Sequence, residues 1–167
     1  DPLALHPTDG FSVLPQIAVR IPGGVAKVGL VGAATPQGGL NTADYAESAG
    51  PDNPTLLFDA ATRKFVPHLA EIDPRPAAPG DRVLLIRPLQ RLADAHRYIV
   101  GLRRSGKKGG LVHPDGKPVA RPQGFAAIVD KSASRNEKLA AYYEDWLLAP
   151  LAEAGVARGD LLLAWDF

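Results

Sequence analysis

The chain has 167 residues, 46% hydrophobic and 22% charged, with a formal net charge of +1, and a chain of this length buries a core without a metal or crosslink. Cysteine is absent, which excludes disulfides, zinc–thiolate sites and cysteine nucleophiles. Methionine is absent too, so we expect Asp1 to be a processed or truncated start and the apolar run Leu161–Phe167 to be a cut end within a longer chain; no signal peptide or membrane-length apolar run is visible.

Residues 1–15 are Pro-rich and irregular. Ile17, Val19 and Ile21 then alternate with Gln16, Ala18 and Arg20, the period-two pattern of a half-buried strand, and Pro22-Gly23-Gly24 ends it. Residues 25–31 predict a second strand weakened by Gly29, and residues 32–54, rich in Gly and Pro, a long loop. Thr55–Asp59 and Lys64–Asp73 read as a hairpin around an Ala60–Arg63 turn, with Pro67 marking an edge or bulge because proline cannot donate to the ladder. Arg82–Arg87 predicts a strand buried on both faces. His96–Arg103 predicts another, with Tyr98, Val100 and Leu102 inward and a basic outer face of Arg97, Ile99 and Arg103.

Pro114-Asp115-Gly116 supplies a turn between Leu111-Val112 and Pro118-Val119. Gly124–Asp130 is short and reads either as one helical turn or as a strand. A helix is predicted over about 135–154. Ser134-Arg135-Asn136-Glu137 is its capping box, and Leu139, Tyr143, Trp146, Leu147, Leu151 and Ala154 form its apolar stripe. Gly155 is its left-handed terminal residue, and Pro150 kinks it near the last turn. Asp160–Phe167 returns as a strand. Six to eight short strands, one late helix and no βα alternation predict a mainly β chain, an antiparallel sandwich forming one domain over 1–167 with the helix inserted before the last strand.

Chemistry-bearing patterns are sparse. No Ser sits in a Gly-x-Ser-x-Gly elbow, and Ser105 beside Gly106 reads as a turn residue. The 4 His include no i, i+4 pair of the kind two helical metal ligands need. His68, near Glu71 and Asp73, is the most suggestive, although His68 and Glu71 face opposite sides of a strand. Asp44, Glu47 and Asp52 match no calcium-loop spacing. Between Arg87 and Arg121 nine basic residues stand against two acidic ones, and the remainder is net acidic. Within that stretch Arg97, Arg103, Arg104, Lys107 and Lys108 are the candidates for binding a polyanion. Only Tyr98 and Phe125 lie near them to stack on bases, which argues against nucleic acid. Tyr142, Tyr143 and Trp146 read as a carbohydrate or aromatic platform or, more simply for Tyr143 and Trp146, as the core face of the kinked helix. No catalytic, cofactor or metal-binding set is assigned.

The run Leu84-Leu85-Ile86-Arg87-Pro88-Leu89, Leu92 and then His96-Arg97-Tyr98-Ile99-Val100-Gly101-Leu102-Arg103 resembles the Pro-x-x-x-Leu … Tyr-x-Val-x-Leu signature of bacterial Ig-like domains. Their Asp-x-x-Gly-x-Pro turn resembles His113-Pro114-Asp115-Gly116-Lys117-Pro118, with His113 in place of the first Asp. The order of Asp9-Gly10-Phe11-Ser12, Pro54–Asp59, Val66–Asp73 and Leu161–Phe167 is similar to the N-terminal region of large bacterial extracellular lipase- or esterase-like proteins, in which an α/β-hydrolase domain follows. The resemblance implies an Ig-like sandwich in a secreted or envelope-attached parent, and it carries no catalytic residue onto this chain. We therefore expect a non-catalytic accessory domain that packs against the downstream domain of its own polypeptide or a protein partner. The alternatives are an assembly subunit docking through 32–54 or the basic face, and polyanion binding through 97–108.

Overall fold

The computed structural model describes residues 12–32, 43–106, 108–131 and 136–167. Within them the alternating apolar segments form β1 (Ile17–Arg20), β2 (Thr55–Asp59), β3 (Lys64–Phe65), β4 (His68–Ile72), β5 (Val83–Pro88), β6 (Tyr98–Arg103) and β7 (Leu161–Asp166). They pair into two antiparallel sheets, a three-stranded one in the order β1-β5-β4 and a four-stranded one in the order β3-β2-β6-β7. The fold is mainly β, as the strand pattern predicts.

Strand alternation sends side chains to two different cores. Leu57, Val100, Leu102 and Leu162 of the four-stranded sheet meet Ile17, Ile72, Leu84 and Ile86 of the three-stranded one. The opposite face of the four-stranded sheet, with Leu56, Phe58, Ile99, Leu161 and Ala164, packs under helices. β2 therefore has no solvent face, and all five of its residues are buried. Each fully buried Leu, Ile or Phe contributes roughly 1.5–3 kcal/mol over its exposed state. Between Leu102 and Arg103 the β6–β7 register slips. This bulge lets Leu161 and Ala164 face the helices while Leu162 reaches the inter-sheet core.

The structure departs from the sequence pattern at several points. Residues 25–31 form turns, not a strand: Gly24 (φ 76) and Gly29 (φ 79) are left-handed, and the Leu30 N–H donates to the Lys27 carbonyl at 3.2 Å. Val25, Leu30 and Val31 are buried all the same, which is why the segment looks strand-like. Of the expected loop 32–54, residues 33–42 lie outside the described residues, and α1 (Ala43–Glu47) is helical. Lys64–Asp73 is not one strand. It splits at Val66-Pro67 into β3 and β4, which belong to different sheets, because Pro67 has no N–H to extend the ladder. Gln123–Val129 resolves the ambiguous segment as a helix, α2.

The late helix runs as α3 (Glu137–Tyr143), a wide π-turn (Glu144–Leu148) and α4 (Ala149–Glu153). Its cap is Asn136, whose side chain accepts from the Leu139 N–H at 3.0 Å; Ser134 of the expected capping box lies outside the described residues. The π-turn has a local cause in Pro150, which cannot donate an N–H to the carbonyl of Trp146 and crowds it. Instead the Ala149 N–H reaches back to Glu144. The helix closes as predicted on Gly155 (φ 90), with the Val156 N–H on the Leu151 carbonyl and the Gly155 N–H on the Ala152 carbonyl, 2.9 and 3.0 Å.

The extra residue in that turn splits the expected apolar stripe. Leu147, Leu148 and Leu151 are buried, whereas Trp146 is 52% exposed and Leu139 43%.

Candidate functional site

The basic segment is not a solvated face. Helices cover Ile99 and the chain through Ser105 and Gly106 wraps Arg103, so both are buried and the expected basic outer face does not form. The Arg103 guanidinium donates from Nε to the Ser105 carbonyl and from Nη2 to Asp160, both at 2.9 Å. Ser105 donates its hydroxyl to the same carboxylate at 2.7 Å. Gly106 permits this wrap, since a Cβ there would lie 2.4 Å from Arg103 Nη2. Arg104 is exposed, and its amide donates to the Asp160 carbonyl at 2.7 Å. Lys108 reaches Glu47 at 2.6 Å, and Lys107 lies outside the described residues. Arg87 pairs with Glu71 at 2.5 Å, Arg91 with Asp94 at 3.0 Å and Lys117 with Asp115 at 2.9 Å. A stretch that is strongly basic in sequence is thus largely paired in space, by its own Asp94 and Asp115 and by Glu47, Glu71, Asp160 and Asp166 from elsewhere in the chain.

His68 opens β4 in the protein interior, with no solvent exposure. Its Nδ1–H donates to the Val66 carbonyl at 3.0 Å, so in the neutral ring Nε2 accepts from the Thr55 hydroxyl at 2.9 Å. Its amide donates to the Ser48 hydroxyl at 2.8 Å, and Ser48 in turn donates to the Tyr45 carbonyl at 2.6 Å. Burial pushes the imidazole pKa down. With both ring nitrogens engaged, His68 ties α1 and the loop after it to the two sheets. Glu71, on the other side of β4, pairs outward with Arg87.

An Asp–His contact that spacing did not suggest joins β2 to the start of β6. His96 Nδ1 donates to Asp59 at 2.9 Å, while the other Asp59 oxygen accepts from the amides of Ala61 and Thr62 at 2.9 and 3.2 Å. Burial alone would raise the Asp59 pKa, but these bonds outweigh it and hold the carboxyl below its ordinary value. The arrangement closes the turn after β2.

The most distinctive surface lies beside it. Arg97, just before β6, donates from Nη1 to Asp166 at the end of β7 and to the Tyr142 hydroxyl, both at 2.5 Å. Tyr142 donates to the same Asp166 oxygen at 2.5 Å, and that carboxylate, as acceptor, pushes the phenol pKa up. The Arg97 guanidinium stands 4.7 Å from the Trp146 ring centroid and 5.6 Å from that of Tyr142, a cation stacked between two aromatic groups. Tyr143 turns the other way and meets Phe125 edge-on at 6.0 Å.

Tyr142 and Trp146 therefore face solvent, and of the two residues expected on the core face, Tyr143 and Trp146, only Tyr143 takes that position. Leu139 extends the patch along the helix. Arg, Tyr and Trp held rigidly at a surface are the residues that concentrate binding energy in protein interfaces. Sequence periodicity puts Trp146 on the core stripe because it counts regular α-helical turns; Pro150 signals the kink, but not the one-residue widening that turns Trp146 outward.

Among the described residues no group of three or more His, Asp or Glu is placed to hold a metal ion, and no helix is long and apolar enough to cross a membrane. No protein-family model, curated protein or solved structure matches this chain.

Proposed function

We propose that this chain is a non-catalytic, Ig-like β-sandwich accessory domain of a secreted or envelope-attached lipase- or esterase-like protein. Its face of Arg97, Tyr142 and Trp146 docks it against the downstream domain of the same polypeptide or a separate subunit. The observation that supports this is Trp146. A large aromatic side chain is left 52% exposed although the helix carrying it is anchored by Leu147, Leu148 and Leu151, and its ring is held in place by a guanidinium that is itself fixed by Asp166. Leaving so much rigid apolar surface in water is unfavourable unless a partner covers it, and fixing it beforehand lowers the entropy lost on docking.

Hydroxyl-radical footprinting tests the docking. In the polypeptide isolated from its native source, Trp146 and Tyr142 should be protected several-fold relative to isolated residues 1–167; equal modification in both sinks the docking face. Turnover of a short-chain p-nitrophenyl ester by residues 1–167 alone would overturn the non-catalytic part of the proposal.

A further inference from the structure

A cleft of about 400 Å³, with none of Arg97, Tyr142 and Trp146 in its lining, opens between the end of β1 and the start of β7, a size within the range of small-molecule pockets, roughly 300–1,000 Å³. Ile21, Val119, Leu162 and Leu163 give it an apolar wall. Its lining also contains Arg20, Arg121 and His113, and no Asp or Glu. His113 is fixed there by an Nδ1–H bond to the Gly24 carbonyl at 2.9 Å. Arg20 stands at the rim, paired with Asp81 at 2.5 Å across solvent.

Arg121 is the unusual group. Its side chain is only 8% exposed. Nε donates to the Leu161 carbonyl and Nη2 to the Gly159 carbonyl, both at 2.8 Å. The carboxylate paired with it, Asp130, stands 3.6 Å from Nη1 and is itself 61% exposed, too far for a good hydrogen bond. A desolvated guanidinium is thus met mainly by main-chain dipoles, with a weak countercharge, and burial pushes its pKa down. Buried charge in that state is costly and is relieved by a close anion.

We propose that this cleft binds an aliphatic carboxylate of medium chain length, its carboxylate on Arg121 with Arg20 at the rim and its hydrocarbon chain on the Ile21–Val119–Leu162–Leu163 wall. Two features select that class. A purely polar anion leaves the apolar wall wet, and a neutral hydrocarbon leaves the arginine charge unanswered. The site is separate from the docking face, and neither depends on the other.

Isothermal titration of residues 1–167 with octanoate, 1-octanol and acetate tests the assignment. Octanoate should saturate a single site, with 1-octanol and acetate each about tenfold or more weaker, the scale of one charge-assisted hydrogen bond. Arg121→Gln should weaken octanoate about tenfold while leaving 1-octanol unchanged. Because Arg121 also holds two main-chain carbonyls, Ala120→Trp provides a second probe: Ala120 is exposed and lines the same cleft. Ala120→Trp should abolish octanoate binding with the thermal midpoint unmoved. The proposal is overturned by unsaturable or absent octanoate binding, by 1-octanol or acetate binding as tightly as octanoate, or by wild-type affinity in a folded Ala120→Trp variant.

Discussion

Two arginines flank the same stretch of β6 and meet two aspartates that flank β7, yet they end in opposite environments. Arg103 and Asp160 form a corner in which the guanidinium is 4% exposed and the chain through Ser105 and Gly106 wraps around it. Arg97 and Asp166 form a corner in which the guanidinium is 35% exposed and is stacked on aromatic rings facing water. Residue type, strand and kind of partner are shared. What differs is the cover: the chain through Ser105 and Gly106 folds over one guanidinium, and the other lies where the π-turn sends Trp146 outward. The buried corner acts in stability, whereas the exposed one is free to act in recognition, since an exposed ion pair adds little to folding.

Substitutions can break this contrast. Arg103→Ala should cost about 3 kcal/mol in urea unfolding, the low end for removing one partner of a buried pair because Asp160 keeps some solvent. If Arg97→Ala costs as much, the contrast is wrong. The same division should separate the histidines. His68 is buried and its pKa lies below the ordinary 6.5, so the unfolded chain takes up its proton first and stability falls as pH drops below 6.5. That slope should approach about 1.4 kcal/mol per pH unit and should disappear in His68→Gln, as followed by urea midpoints from pH 7.5 to pH 5.

Gly106→Ala sharpens the buried corner without removing a charge. With φ at 154 and Arg103 Nη2 in the way, it should destabilise by about 1–3 kcal/mol, and a neutral result would mean that the loop does not depend on the guanidinium. Arg97→Ala should cost under about 1 kcal/mol. Trp146→Ala should stay within about 0.5 kcal/mol of wild type while removing the footprint difference between native polypeptide and isolated domain.

Much of the β framework was legible because alternation is a local property. β1, β2, β5, β6 and β7 lie where Ile17, Thr55, Leu84, Tyr98 and Leu161 suggest. The misreadings share one physical origin, namely cover that comes from distant parts of the chain. Ile99 and Arg103 read as an outer face because alternation records which side a residue takes and not whether a helix lies over that side. The basic run Arg87–Arg121 looks like an anion-binding stripe because Glu47, Glu71, Asp160 and Asp166, which neutralise much of it, are far away in sequence. The break of Lys64–Asp73 was half visible, since Pro67 marks an irregularity without telling that β3 and β4 part into different sheets. The candidate site is half legible as well: Tyr142 and Trp146 read as part of an aromatic platform, but a regular helical period sends Trp146 inward, and only the i to i−5 step beside Pro150 brings it out.

That wide turn is a stored insertion, one residue more than a regular helix of the same span requires. If Pro150 were replaced by Ala with no residue lost, and the segment wound at regular pitch, everything before it, Tyr142 included, would swing by about 100° relative to Leu151. Such a change would dismantle the surface while leaving Arg97, Tyr142, Trp146 and Asp166 all present. The identity of this face is therefore written in the spacing of the chain as much as in its side chains, and two relatives could share every residue of the patch and still present different surfaces.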